Sequence, residues 1–258
     1  MGYVLVTGAT GGIGSELCDV CAAHGHDLVL VARNEQQLDE LAQRLRSTYG
    51  IQAEPLPADL TQDGAADALF RATQDANIVV DVLVNCAGFG DQGAFLDADW
   101  QRQENMIRLN VLALMRLSYL FGNSMRLHGA GRILNVSSVA AFSAGPYMST
   151  YFATKAFVLS HSLALGEELR KSGVTVTALC PGVTGTGFWN VAHMDANALF
   201  ALMGMRSPRS VAELGYKAMM SGRPLALHSA GTHAANVASR LAPRRLSTWL
   251  MGRVLAKR

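Results

Sequence analysis

The sequence predicts an α/β chain built on one doubly wound parallel sheet. Three observations carry that expectation. Short apolar runs rich in β-branched residues alternate with longer runs of helical period. The strand-like runs are almost continuously apolar, as in sheets covered on both faces. A glycine-rich turn, Gly8-x-x-x-Gly12-x-Gly14, directly follows the first of them. With right-handed crossovers, that turn selects a Rossmann-type dinucleotide-binding sheet of about seven strands in the order 3-2-1-4-5-6-7.

The expected strands are 3–7, 27–32, 51–56, 81–85, 131–137 and 174–180, with a short one at 224–227. The expected helices are 12–24, 35–49, 63–76, 99–128, 149–172 and 210–221. No repeat, low-complexity tract or linker divides them, so residues 1–258 are expected to form one domain. Two segments break the rhythm. Residues 186–209 carry Phe188, Trp189, Met194, Phe200, Met203 and Met205, and follow the strand end where such sheets bind ligands. They read either as a helix on the core or as an adaptable apolar substrate lid. Residues 230–258 are basic and apolar, with Arg240, Arg244, Arg245, Arg253, Lys257 and Arg258 among Leu241, Leu246, Trp249, Leu250 and Leu255. Capping of the fold or a subunit contact is the favoured reading of this extension. A peripheral membrane contact through 240–258 is the less favoured one.

Composition narrows the function. The chain is 50% hydrophobic with a net charge of +2, so nothing argues for a nucleic-acid partner. Cys18, Cys21, Cys86 and Cys180 fall in core-like runs, and Cys18 and Cys21 lack further ligands nearby. They read as buried thiols in a reducing compartment, with no metal site. The start, Met1-Gly2-Tyr3-Val4-Leu5-Val6, lacks the charged region of a signal peptide and the Ser/Thr of a myristoylation signal. No run reaches the ~18–20 apolar residues of a membrane span. A cytoplasmic location is expected.

The chemistry rests on Tyr151 and Lys155, four apart on an expected helix, with Ser138 upstream. A carbonyl that accepts hydride becomes an alkoxide and needs a proton. Tyrosine supplies one, and a neighbouring cation is expected to lower its pKa from ~10. Ser138 is placed to bond the substrate oxygen. Strand alternation points Ser137 the other way. In the turn, Gly8 permits a tight bend, Gly12 a close approach of pyrophosphate, and Gly14 close packing of the next helix, whose N-terminus favours phosphate. After the second strand, Ala32 replaces the acid that would bond a ribose 2′-OH, and Arg33 follows. That pair favours NADP(H) over NAD(H). His161 reads as packed or at a subunit contact, His24 and His26 as surface residues flanking a Gly turn, and His193 lies in the lid segment.

These pieces together resemble the short-chain dehydrogenase/reductase family over about residues 3 to 190. The resemblance is carried by Thr7-Gly8-x-x-x-Gly12-x-Gly14, Asn85-Cys86-Ala87-Gly88, Asn110, Ser138, Tyr151-x-x-x-Lys155, and Pro181-Gly182 followed by Thr186. Cys86 stands where the family usually has a second Asn. The resemblance implies a catalytic set of Ser138, Tyr151, Lys155 and Asn110, with Asn110 positioning a water that relays protons to Lys155. It implies a cofactor site of Gly8, Thr10, Gly12, Ile13, Gly14, Arg33, Asp59, Leu60, Asn85, Ala87, Gly88, Tyr151, Lys155, Pro181, Gly182 and Thr186. Within it, Asp59 would meet the adenine, Lys155 the nicotinamide ribose and Thr186 the carboxamide. The implied activity is NADPH-dependent reduction of a ketone, aldehyde or 3-oxoacyl group, or the reverse alcohol oxidation. A non-catalytic NADP(H)-binding module is the competing class. Ser143–Met148 and Phe89-Gly90 are expected as further pocket walls. With no obvious cation among the walls, a mainly apolar substrate is expected. Pairing of helices 99–128 and 149–172 between subunits would give a homodimer or homotetramer.

Overall fold

In the computed structural model, which describes residues 2–192, 205–228 and 230–256, seven parallel strands form one sheet. They are β1 (Tyr3–Thr7), β2 (Leu28–Ala32), β3 (Ala53–Pro57), β4 (Val80–Asn85), β5 (Gly131–Val136), β6 (Val174–Cys180) and β7 (Leu225–Leu227). Their order is β3-β2-β1-β4-β5-β6-β7, as expected. The apolar strands explain the layering. Val4, Leu5 and Val6 have no exposed surface, because alternate side chains enter cores on opposite faces.

One face is covered by α1 (Gly12–Ala23), α2 (Glu35–Tyr49) and α8 (Pro208–Met220). The other carries α3 (Ala65–Asp75), α5 (Leu114–His128) and α6 (Ser149–Glu168). Local signals set the boundaries. Asn34 caps α2 by accepting from the Gln37 amide at 3.0 Å, and Gly50 ends it in the left-handed region. Ser207 caps α8 with Pro208 in its first turn.

Three features depart from the sequence reading. The expected helix 99–128 is α4 (Trp100–Ile107), a π-helical stretch (Arg108–Ala113) and α5 in succession. His26 is buried rather than on the surface. Its Nε2 lies 2.9 Å from the Tyr216 hydroxyl, while His24 stacks on the same ring. The tail forms two helices, α9 (Ala230–Leu241) and α10 (Arg244–Leu255), and a short α7 (Phe188–Val191) follows β6. The lid residues His193, Met194, Phe200 and Met203 lie outside the described residues. The four cysteines are free; Cys18, Cys21 and Cys180 are buried and Cys86 is half-buried at the cleft, and desolvation pushes every thiol up, Cys21 and Cys86 to about 12. Among the described residues no cluster fits a metal, and no helix is long and apolar enough to cross a membrane.

Phe121 is 1% exposed and meets the Phe70 ring edge-on at 5.0 Å between α5 and α3. We expect Phe121→Ala to cost about 3–5 kcal/mol in urea unfolding. A loss under about 1 kcal/mol would mean this layer is not packed as described.

Candidate active site

The strand ends of β1, β4, β5 and β6 open into a cleft of about 1950 Å³. That exceeds the ~300–1,000 Å³ of a typical single-ligand pocket. Its base is a seam between two turns. Thr7 Oγ1 accepts the amide hydrogens of Cys86 at 3.0 Å and Ala87 at 3.1 Å, which ties the end of β1 to the turn after β4. Gly8 takes φ +69°, and a Cβ on Gly14 would stand 2.1 Å from the Gly8 carbonyl oxygen. Gly14 is therefore required inside the turn itself, more than for contact with the sheet. The α1 N-terminus has no side-chain cap, and Gly11, Gly12, Ile13 and Gly14 line the cleft. Uncapped amides at a helix start suit a phosphate. A Cβ on Gly12 would meet the Thr186 methyl at 2.6 Å, so any larger residue would close the cradle.

Arg33 lines the cleft, and no ion pair engages it among the described residues. Asp59 also lines it, but its carboxylate accepts from the Thr61 amide (3.0 Å) and hydroxyl (2.8 Å). Burial pushes this carboxyl up. The Thr61 and Gln62 bonds and the charge of Arg33 outweigh that, and the net shift is downward. Thr10, Leu60, Ala87, Gly88, Pro181, Gly182 and Thr186 line the same cleft.

Tyr151, Ser138 and Lys155 meet at its inner end. Ser138 accepts from the Ala140 amide at 3.1 Å and stands within reach of the Tyr151 phenol. The Ser137 hydroxyl is spent on the Lys155 carbonyl at 2.8 Å, as strand alternation foretold. Lys155 Nζ donates to the Val136 carbonyl at 2.9 Å and sits 5.8 Å from the Tyr151 ring centre. Burial pushes the Tyr151 phenol up to about 12, with Ser138 pulling the other way. Burial brings the Lys155 ammonium down to about 8. The Tyr151 phenol therefore moves up rather than in the expected direction, because its desolvation outweighs the bond to Ser138.

Two expected site residues do not reach the cleft. Asn85 donates to Ser118 Oγ (3.1 Å) and Asn135 Oδ1 (2.9 Å) in a buried polar row beneath the sheet end. Strand alternation turns it away from the cofactor side. Asn110, in the π-helical stretch, is 1% exposed. Its side chain accepts from the Phe89 amide (3.1 Å) and donates to the Phe89 carbonyl (2.9 Å) and Thr154 hydroxyl (3.1 Å). Both of its amide hydrogens are spent on protein, so its side chain anchors the Phe89 turn. A Cβ on Gly88 would lie 2.9 Å from Asn110 Oδ1 and 3.4 Å from Lys155 Nζ, so this turn threads directly between them.

Above Tyr151 the walls are apolar. Phe188 lies 5.3 Å from the Tyr151 ring, and Met148, Phe152, Met251 and Leu255 join the same cluster. Ser143, Met148 and Phe89 line the cleft as expected, whereas Pro146 and Tyr147 face a separate groove. The tail supplies Leu246, Leu250, Met251, Val254 and Leu255 to the cleft. The sequence reading did not assign these residues to it. Their spacing of four (246, 250, 254 and 251, 255) was the available signal. Gln92 Nε2 donates to the Leu255 carbonyl at 2.7 Å and fastens the end of α10. Arg102 is the cation at the wall, but Asp91 holds it at 2.8 Å, it donates to the Val191 carbonyl, and it lies over the Phe89 ring.

Residues 2–196 match the profile of the short chain dehydrogenases. The chain belongs to this family. It is therefore an NAD(P)-dependent oxidoreductase acting on CH–OH or carbonyl groups. It is 34% identical over 182 residues to the 7beta-hydroxysteroid dehydrogenase of Collinsella aerofaciens, covering 70% of this chain and 68% of that protein. A solved short-chain dehydrogenase from Sphingobium yanoikuyae, in complex with NADPH, is 34% identical. It superposes with a TM-score of 0.83 over 93% of this chain and 94% of that one. The bulky-bulky ketone specific alcohol dehydrogenase from Comamonas testosteroni is 29% identical, with a TM-score of 0.79 over 93% of this chain and 92% of that one. The family match ends at residue 196, so the α9–α10 wall of this short-chain dehydrogenase lies outside it.

The buried ammonium has a pH signature. Lys155 falls to about 8 when folded against an ordinary 10.5. Between these values the unfolded chain holds more protons, so stability rises with pH through that window. Lys155→Met removes the effect. We expect that variant to gain up to about 3 kcal/mol over wild type at pH 7 in urea unfolding, with the gap closing toward pH 10.5. A gap that stays constant across the window would contradict the buried, destabilised ammonium.

Proposed function

We propose that this enzyme reduces a bulky, mainly apolar ketone with NADPH, Tyr151 being the proton donor. The observation that carries the proposal is the position of Tyr151. Its phenol stands between the glycine-turn half of the cleft and the Phe188–Met148–Leu255 wall.

Bound NADPH supplies the hydride. Gly12, Ile13 and Gly14 would hold its pyrophosphate at the α1 N-terminus, Arg33 its 2′-phosphate and Thr186 its carboxamide. Ser138 donates to the substrate oxygen and stabilises the negative charge that develops there. Tyr151 then gives that oxygen its proton, and Lys155, below it, stabilises the tyrosinate left behind. The apolar walls support a hydrophobic substrate, since Arg102 is already neutralised by Asp91. The named relatives act on a hydroxysteroid and on bulky ketones, which supports the same substrate class.

The whole chain would work as one domain, with its tail closing the substrate end. Exposed Leu112, Met115 and Tyr119 on the 108–128 segment, and Phe157 and Leu163 on α6, support a homo-oligomer built through that face.

We expect Tyr151→Phe to abolish NADPH-dependent ketone reduction, by roughly 10²-fold or more in kcat, while NADPH still binds in a fluorescence titration. Substantial retained turnover would refute Tyr151 as the acid. Arg33→Ala is expected to weaken NADPH and leave NADH unchanged, moving the kcat/KM ratio toward NADH by roughly tenfold or more. An unchanged ratio would remove Arg33 from the 2′-phosphate site.

A further inference from the structure

The charge of the chain is divided. All 20 Asp and Glu lie in the first 213 residues, and the last 45 hold eight of the 22 Lys and Arg. The net charge of +2 thus splits into +8 over residues 214–258 and −6 over the rest. The last helix puts three of these charges, Arg244, Arg245 and Arg253, beside exposed apolar side chains. On α10, Leu246, Trp249, Leu250 and Arg253 form one outward stripe, with Trp249 53% exposed and Leu250 50%. Leu241, 79% exposed, continues the stripe from the end of α9. Leu246 and Leu250 also line the cleft, so the substrate wall runs out unbroken to the surface.

Beside this rim lies a shallow groove of about 630 Å³, lined by Pro146, Tyr147, Arg244, Arg245, Trp249 and Arg253 among others. No carboxylate lines it, and among the described residues no ion pair engages its three arginines. The Arg253 guanidinium lies over the Trp249 ring at 4.4 Å. Unpaired guanidinium forks suit phosphate oxygens, and aromatic rings settle at headgroup depth. Exposed leucines beside them suit the acyl boundary.

We propose that the α9–α10 face docks on an anionic phospholipid bilayer, with Arg244, Arg245 and Arg253 on headgroup phosphates and Trp249, Leu246 and Leu250 at the acyl boundary. This reverses the preference that composition alone suggested for the tail. The mouth of the cleft then faces the lipid, and an apolar substrate passes into it without crossing water. That route rests on the reductase reading; the docking does not.

The test is co-sedimentation of the full chain with phosphatidylcholine vesicles and with vesicles of equal parts phosphatidylcholine and phosphatidylglycerol. The expected result is partitioning to the anionic vesicles alone, released by salt. Each of Arg244→Gln, Arg245→Gln and Arg253→Gln should weaken it about fivefold, and the triple variant by roughly a hundredfold. None of the three lines the cleft, so turnover of a water-soluble ketone and the melting temperature should stay at wild-type values. Trp249→Ser, with every charge retained, should also weaken binding and serves if the triple variant misfolds. Equal partitioning to both vesicle types, or to neither, overturns the docking, as does wild-type binding by the variants. A mass that halves in light scattering on triple substitution, without vesicle binding by wild type, assigns the face to a second copy instead.

Discussion

The site depends on one small interaction at the centre of the sheet. The Thr7 hydroxyl takes the amide hydrogens of both Cys86 and Ala87. β1 and β4 are neighbours whose chains leave in opposite directions, toward β2 and β5. Their ends would otherwise splay, and the crevice between them is where open α/β sheets bind ligands. The threonine closes the floor of that crevice while leaving its mouth open. It fixes Gly8 against Ala87, and so the glycine turn against the turn that carries Gly88 and Phe89. Asn110 then holds Phe89 from the far side, and Gly88 passes between Asn110 and Lys155. Cofactor cradle and chemical groups are thus held in one rigid frame.

Beneath that frame runs a polar row in register across three strand ends, Thr7, Asn85 and Asn135. Asn135 continues it to Ser162 on α6 at 2.9 Å, and Asn85 to Ser118 on α5. The bonded part of this row, Ser118–Asn85–Asn135–Ser162, costs more to disturb than an apolar one, because each lost partner leaves a desolvated group behind. It fixes the heights of α5 and α6, and α6 carries both Tyr151 and Lys155. The same burial pushes the Tyr151 phenol up to about 12 and brings the Lys155 ammonium down to about 8.

The sheet was legible because its strands are short, apolar and β-branched, and runs of helical period separate them, some with a cap or glycine stop such as Asn34 and Gly50 on α2. That Tyr151, Lys155, Ser138 and the glycine turn share one cleft was legible because it follows from local spacing and strand order. The directions of Asn85 and Asn110 were not, since they depend on partners 33 to 50 and 21 to 44 positions away. His26 misled for the same reason: Tyr216, which buries it, lies 190 residues on. The rise of the Tyr151 phenol also escaped, because spacing to a lysine reports the attraction and not the desolvation. In the tail, mixed apolar and basic spacing showed neither the division into two helices nor which face meets the cleft. The inward face of α10, with Met251 and Leu255, completes the cluster around Tyr151, while the outward face stays open.

The central claim is that a family-standard chemical end is joined to a large apolar end closed by α9 and α10. The measurement that tests it most directly is kcat/KM for NADPH oxidation across a ketone series of rising apolar bulk, from small aliphatic to polycyclic. The expected result is a rise along the series, on the order of tenfold for each ~1.4 kcal/mol that the added apolar surface contributes on burial. A flat or falling series, with small polar ketones turned over best, would contradict it.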